Sequence, residues 1–199
     1  MENNFDKNGL SVEKSLEIIS EAINNSQRDF QRRGGTAMLI WGTTILLVSG
    51  IVTLGLSLSD NNYLWHLAWF LIPFIGLPLD RIASKRYKRS GQGENFVSKA
   101  VGLVWGIFGI MAVATGITAF FIPIATNGTI ILLLGMAGAV TGALNQSWTV
   151  FILGIISGIA GLPCDYFLNI PTPLIMAFAA LMTLVIPGLI FNRQNRKLL

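Results

Sequence analysis

One histidine and one cysteine are the only imidazole and thiolate ligands this chain offers to metal chemistry. A tetrahedral site needs three or four groups converging from separate elements. His66, Cys164 and Asp165 are the candidates, and they are too few to predict a metal centre. Between Trp65 and Trp69, His66 reads as an interfacial residue hydrogen-bonded to water or headgroups. A single cysteine excludes an intramolecular disulfide. The chain has no His-Glu-x-x-His pair, no phosphate-binding glycine loop and no cysteine pair. No catalytic, cofactor-binding or metal-ligating residue is therefore expected, and the chain reads as non-enzymatic.

Two further groups of residues bear on chemistry. Gly154-Ile155-Ile156-Ser157-Gly158 resembles the serine motif of rhomboid intramembrane proteases, but one residue too many separates glycine from serine. The sole histidine also lies upstream of the serine, so the match fails. Asp80 and Arg81 are the only charged residues at a predicted span, and they read as a solvated interfacial pair. Ion-coupled carriers keep ionisable groups inside the membrane because their cost there is met by function. The pattern argues against a proton-coupled pump and leaves room for a channel or permease for an uncharged solute.

The elements that carry these residues follow from composition. Of 199 residues, 52% are hydrophobic and 12% charged, with a mean hydropathy of +0.61. Soluble domains are about a quarter charged, so this chain cannot cover a water-facing surface. The fold class expected is all-α: a polytopic transmembrane helical bundle of about six spans, preceded by a cytoplasmic amphipathic helix. A bilayer core of about 30 Å takes roughly 20 helical residues. Charge-free runs at 34–59, 61–79, 100–164 and 166–192 accordingly give spans near 36–58, 62–80, 100–122, 129–145, 148–163 and 173–191. Pro123 to Gly128 and Asn145-Gln146-Ser147 divide the longest run. The fourth and fifth segments are short enough that a re-entrant hairpin is the alternative to two crossings.

All 14 basic residues lie before the first span, between the second and third, or in the tail at 193–199. Short basic segments stay in the cytoplasm, which places both termini there in a bacterial cytoplasmic (inner) membrane. An even number of crossings satisfies that pattern. The first span reads as an uncleaved signal anchor. Trp41, Trp105 and Trp148 fall near inner helix starts; Tyr63, Trp65, Trp69 and Tyr166 lie toward the outer face, as interfacial aromatics do. Asn127-Gly128-Thr129 is a formal glycosylation sequon too near the membrane to carry weight. The whole plan resembles that of small polytopic proteins of bacterial cytoplasmic membranes.

Inside the membrane, glycines recur on single helix faces: Gly102, Gly106, Gly109 and Gly116; then Gly135, Gly138 and Gly142; then Gly154, Gly158 and Gly161. Such stripes predict close helix packing, with a substrate path as the sharper alternative. Leu39-Ile40-Trp41-Gly42 and Leu103-Val104-Trp105-Gly106 hint at a repeat, as do Pro73 and Pro187 in the second and sixth spans.

Residues 1–35 form the cytoplasmic lead-in. Within it, Val12, Leu16, Ile19, Ile23 and Phe30 recur at four- and three-residue spacing, with Ser11 as N-cap and a bend allowed at Gly34-Gly35. Leu16, Ile19, Ile23 and Phe30 are the candidates for a protein partner or self-association; folding back on the protein's own cytoplasmic face, or lying along the bilayer surface, is the plainer outcome. Lys85, Arg86, Lys88 and Arg89 would orient the chain and meet anionic lipid headgroups. Nucleic acid is not expected to bind. The functional expectation is a scaffolding, regulatory or sensing membrane component acting through its cytoplasmic helix.

Overall fold

The computed structural model describes residues 12–60, 62–89, 96–163 and 171–196. These are helical, with no strand among the described residues. The helices are α1 (Val12–Leu58), α2 (Leu71–Arg89), α3 (Phe96–Thr118), α4 (Thr126–Leu144), α5 (Trp148–Gly161), α6 (Thr172–Ala180) and α7 (Ile186–Arg196). A 3-10 segment, Tyr63–Phe70, leads into α2, and a π segment, Leu181–Val185, joins α6 to α7.

Five stretches are long and apolar enough to cross a membrane: Arg33–Leu58, Leu64–Lys85, Phe96–Thr118, Thr126–Leu144 and Thr172–Arg193. At 14 residues, α5 is apolar but short, about 21 Å of helix. The third span starts four residues earlier than expected and takes in Lys99. The fourth begins inside the expected loop, where Ala125 O accepts from both Thr129 N (3.0 Å) and Thr129 Oγ1 (2.7 Å). Asn127 of the sequon thus sits in a helical turn.

The expected bend at Gly34-Gly35 is replaced by unbroken helix. Both glycines are buried, and the reason is proximity to α7. A Cβ on Gly35 would lie 2.8 Å from Asn192 Oδ1 and 3.1 Å from Gly188 O, while one on Gly188 would lie 2.9 Å from Gly35 O. The two backbones approach only because neither carries a side chain there.

Proline accounts for the two irregular segments. Pro73 lacks the N–H that would bond Trp69 O, and the preceding turns are wound as 3-10 helix, with Leu71 N–H returning to Ala68 O. Pro187 likewise has no N–H for Thr183 O, and its ring would crowd that carbonyl in a regular helix. The wider π turn just before it relieves the crowding.

The closest pairing is α4 against α5. A Cβ on Gly135 would collide with the Gly158 backbone, one on Gly142 with the Phe151 backbone, and one on Gly154 with Ala139. The packing expectation holds for these stripes and fails for α3. Around Gly102, Gly106, Gly109 and Gly116 an added Cβ meets nothing within 4 Å. Spacing fixes which residues share a face, but not what that face meets. Only 6% of the α2 and α3 span windows is buried, against 50% for α4, so these two helices are peripheral. The core gathers Met38, Ile45, Ile131, Leu134, Val150 and Phe191 between α1, α4, α5 and α7.

Candidate functional site

The most distinctive polar-to-apolar surface is the first half of α1. From Val12 to Asn25 nearly every residue is exposed, including Val12, Leu16, Ile19 and Ile23 at 48–61%. Four aliphatic side chains on one helix stripe stand in the open, where each would gain from burial. The side chain of Phe30 lies outside those described, as do those of Arg86, Lys88 and Arg89; Lys85 is exposed.

Where α1 meets the bundle, Arg33 Nη2 donates to Ser84 Oγ of α2 at 3.4 Å. The charge felt by half-buried Asp80 is that of Arg33, reached from α1. Arg33 thus approaches the Asp80 face of α2 from a second helix, through its hydrogen bond to Ser84. Neighbours one apart on a helix diverge by about 100°, whereas Asp80 and Ser84, four apart, share a face.

Trp41 and Trp105, expected at the interface, serve the interior. The Trp41 ring lies over Gly76 of α2, 2.6 Å from where a Cβ would sit. Trp105 Nε1 donates to Thr141 Oγ1 of α4 at 3.1 Å. In both members of the suspected repeat, the tryptophan thus docks on the following helix. Their glycines differ: Gly42 is pressed on Val185 and Leu184, while Gly106 is open. Trp148 is 74% exposed, consistent with an interfacial position.

On the opposite hairpin end, Trp65 Nε1 donates to Ser59 Oγ at 2.8 Å and its ring covers Gly55. Trp69 Nε1 donates to His66 Nδ1 at 3.4 Å. His66 Nδ1 thus accepts from a tryptophan one turn along the same segment. Among the described residues no three His, Cys, Asp or Glu converge on a possible metal position. Cys164, Asp165 and Tyr166 lie outside the described residues.

Buried polar atoms were the part sequence reasoning missed. Asn145, expected in a turn, is 3% exposed; its Nδ2 donates to Thr141 O at 2.9 Å while Oδ1 has no partner. Ser49 Oγ, Ser157 Oγ and Thr183 Oγ1 are likewise buried and unpartnered. Other membrane hydroxyls, such as Thr44, Thr53 and Thr115, return to the carbonyl four residues back. Ser157 lines a cavity of about 80 Å³ with apolar walls that include Ile131, Ile175, Phe178 and Met182. No charged group and no histidine lines it.

No family model, curated protein or solved structure matches this chain.

Proposed function

We propose that this protein is a non-enzymatic membrane component that docks a protein through the projecting half of α1. The observation that carries the reading is that Val12, Leu16, Ile19 and Ile23 stand exposed on a helix continuous with a membrane span. A helix that folded back on its own bundle would bury that stripe, and this one does not. The reading includes six crossings, with α5 completing the count, both termini cytoplasmic, and Lys85, Arg86, Lys88 and Arg89 near anionic headgroups. An even count keeps all three basic segments on one face. Short α5 is compatible with local thinning of the bilayer, at a modest cost per ångström of mismatch.

A permease for an uncharged solute, the competing expectation, gains little support. The glycines that allowed a path between α4 and α5 are met by the facing backbone, and the described cavity is small and apolar.

Photo-crosslinking residues placed singly at Leu16, Ile19 and Ile23, and at Lys14, Glu17 and Glu21, test the docking reading in native membranes. Protein adducts at the first three positions and not at the others are expected. Adducts to lipid alone, or to nothing, overturn it in favour of a surface-lying helix.

A further inference from the structure

We infer that the cavity beside Ser157 binds a neutral, bilayer-dissolved alkyl molecule through one terminal hydroxyl or carbonyl oxygen. The cavity lies where α5 meets α6 and the π segment, with Ile131 of α4 as its floor. Ile131, Ser157, Gly161 and Ala179 are buried, whereas Ile156, Ala160 and Phe178 at its edge are exposed. Those edge residues belong to apolar helices, Phe178 within the span Thr172–Arg193, so the mouth faces lipid. Behind the cavity α4 and α5 are in backbone contact. A Cβ on Gly135 would collide with Gly158, and one on Gly161 would lie 2.6 Å from Ile131 Cγ2. The site is a recess entered from the membrane, not a path across it.

Ser157, 6% exposed, supplies the one polar side chain in the walls, and its hydroxyl is buried without a partner. Ser57 and Ser59 donate to the carbonyl four residues back, at 2.9 and 2.6 Å. The Ser157 hydroxyl makes no such return and bonds no neighbouring helix. A buried hydroxyl in that state favours a molecule that brings it a partner. Thr183, also buried and unpartnered, is turned toward Gly138 of α4 and does not line the cavity. One hydrogen bond is therefore what the side chains of this site offer.

Charge, size and entry select the ligand. No ionised group lines the cavity and lipid surrounds its mouth, so an ion entering from the membrane would go unpaired. About 80 Å³ is near half the ~150 Å³ of an apolar cavity that takes up benzene. Such a space admits a terminal oxygen and the first carbons of a chain, with the rest lying over Ile156 and Phe178 in lipid. A phospholipid is excluded by shape, since its ester carbonyls sit on a branched glycerol. Water fits poorly as well: it needs roughly two to four polar partners, and these apolar walls give it one side chain. Met182, in the π segment, completes the wall. Single π turns within α-helices occur frequently at functional sites, and a flexible thioether adapts to a ligand's outline.

Octanol carrying a diazirine on its third carbon, added to the full chain in phosphatidylcholine vesicles, tests the site by photolabelling and peptide mapping. Adducts should concentrate at Ile156, Phe178 and Met182, about fivefold over Phe74, which is 76% exposed on α2. Excess octanol should remove them, and excess octane should not. Ala160→Leu blocks the mouth from an exposed position and should lower this labelling about fivefold, with Phe74 unchanged. Ser157→Ala keeps the cavity and should lower it several-fold, while the melting temperature holds or rises. Equal labelling of Phe178 and Phe74, or equal competition by octane, overturns the inference. So does labelling that either substitution leaves unchanged.

Discussion

Trp105 on α3 and Thr141 on α4 are joined by a hydrogen bond of 3.1 Å, and Thr141 Oγ1 in turn donates to Ala137 O at 2.8 Å. Thr141 is fully buried, so this short relay is the polar clasp holding a largely exposed helix to the core. Trp105→Phe should destabilise the fold by about 0.6–1 kcal/mol, the scale of such bonds inside membranes. Thr141→Val should cost a similar amount, and the double variant little more than either. Unfolding in mixed micelles measures all three; additive losses would show the two groups act independently.

Glycine-to-alanine exchange should separate two kinds of glycine. At Gly135 and Gly154 the new methyl meets backbone, which cannot swing aside, and a loss of about 1–3 kcal/mol or more is expected. At Gly106, where the space is open, the same exchange should be neutral or gain up to about 1 kcal/mol from helix propensity. Thermal denaturation in one detergent compares the set.

Asp80→Asn removes the carboxylate on which Arg33 acts. Burial weighs against that carboxylate more than Arg33 favours it, so the exchange should be neutral or gain under about 1 kcal/mol. Its signature is salt: raising ionic strength should lower the melting temperature of the parent protein and leave the variant nearly unmoved.

Reporter fusions after residue 90 and after Leu199 should report the same face of the membrane. If α5 does not cross while α4 does, the two fusions report opposite faces and the count drops to five.

Much of this architecture was legible from charge and run length, because both are set by the solvent. A lipid interior excludes ionised groups and fixes helix length, so the gaps between Arg33, Asp60 and Lys99 mark helices with little regard to detail. What sequence could not give was facing. Gly102 and Gly135 look alike in spacing, yet one meets open space and the other the backbone of Gly158. Trp105 looks like an interfacial anchor until Thr141 arrives from a helix 36 residues away. Gly34-Gly35 read as a hinge because glycine permits one, and the approach of Gly188 gave the pair a different use. Each of these depends on a partner distant in the chain, which local periodicity does not encode.

The 47 residues of α1 make a single rod about 70 Å long. Roughly 20 Å of it, over Val12–Asn25, is exposed, and farther along it is seated against α7 at Gly35 and α2 at Gly76. A force or twist applied at Leu16 has no joint in which to dissipate. The same helix that is exposed at Leu16 is packed on Val185 and Leu184 at Gly42, so the two ends are joined with no intervening break.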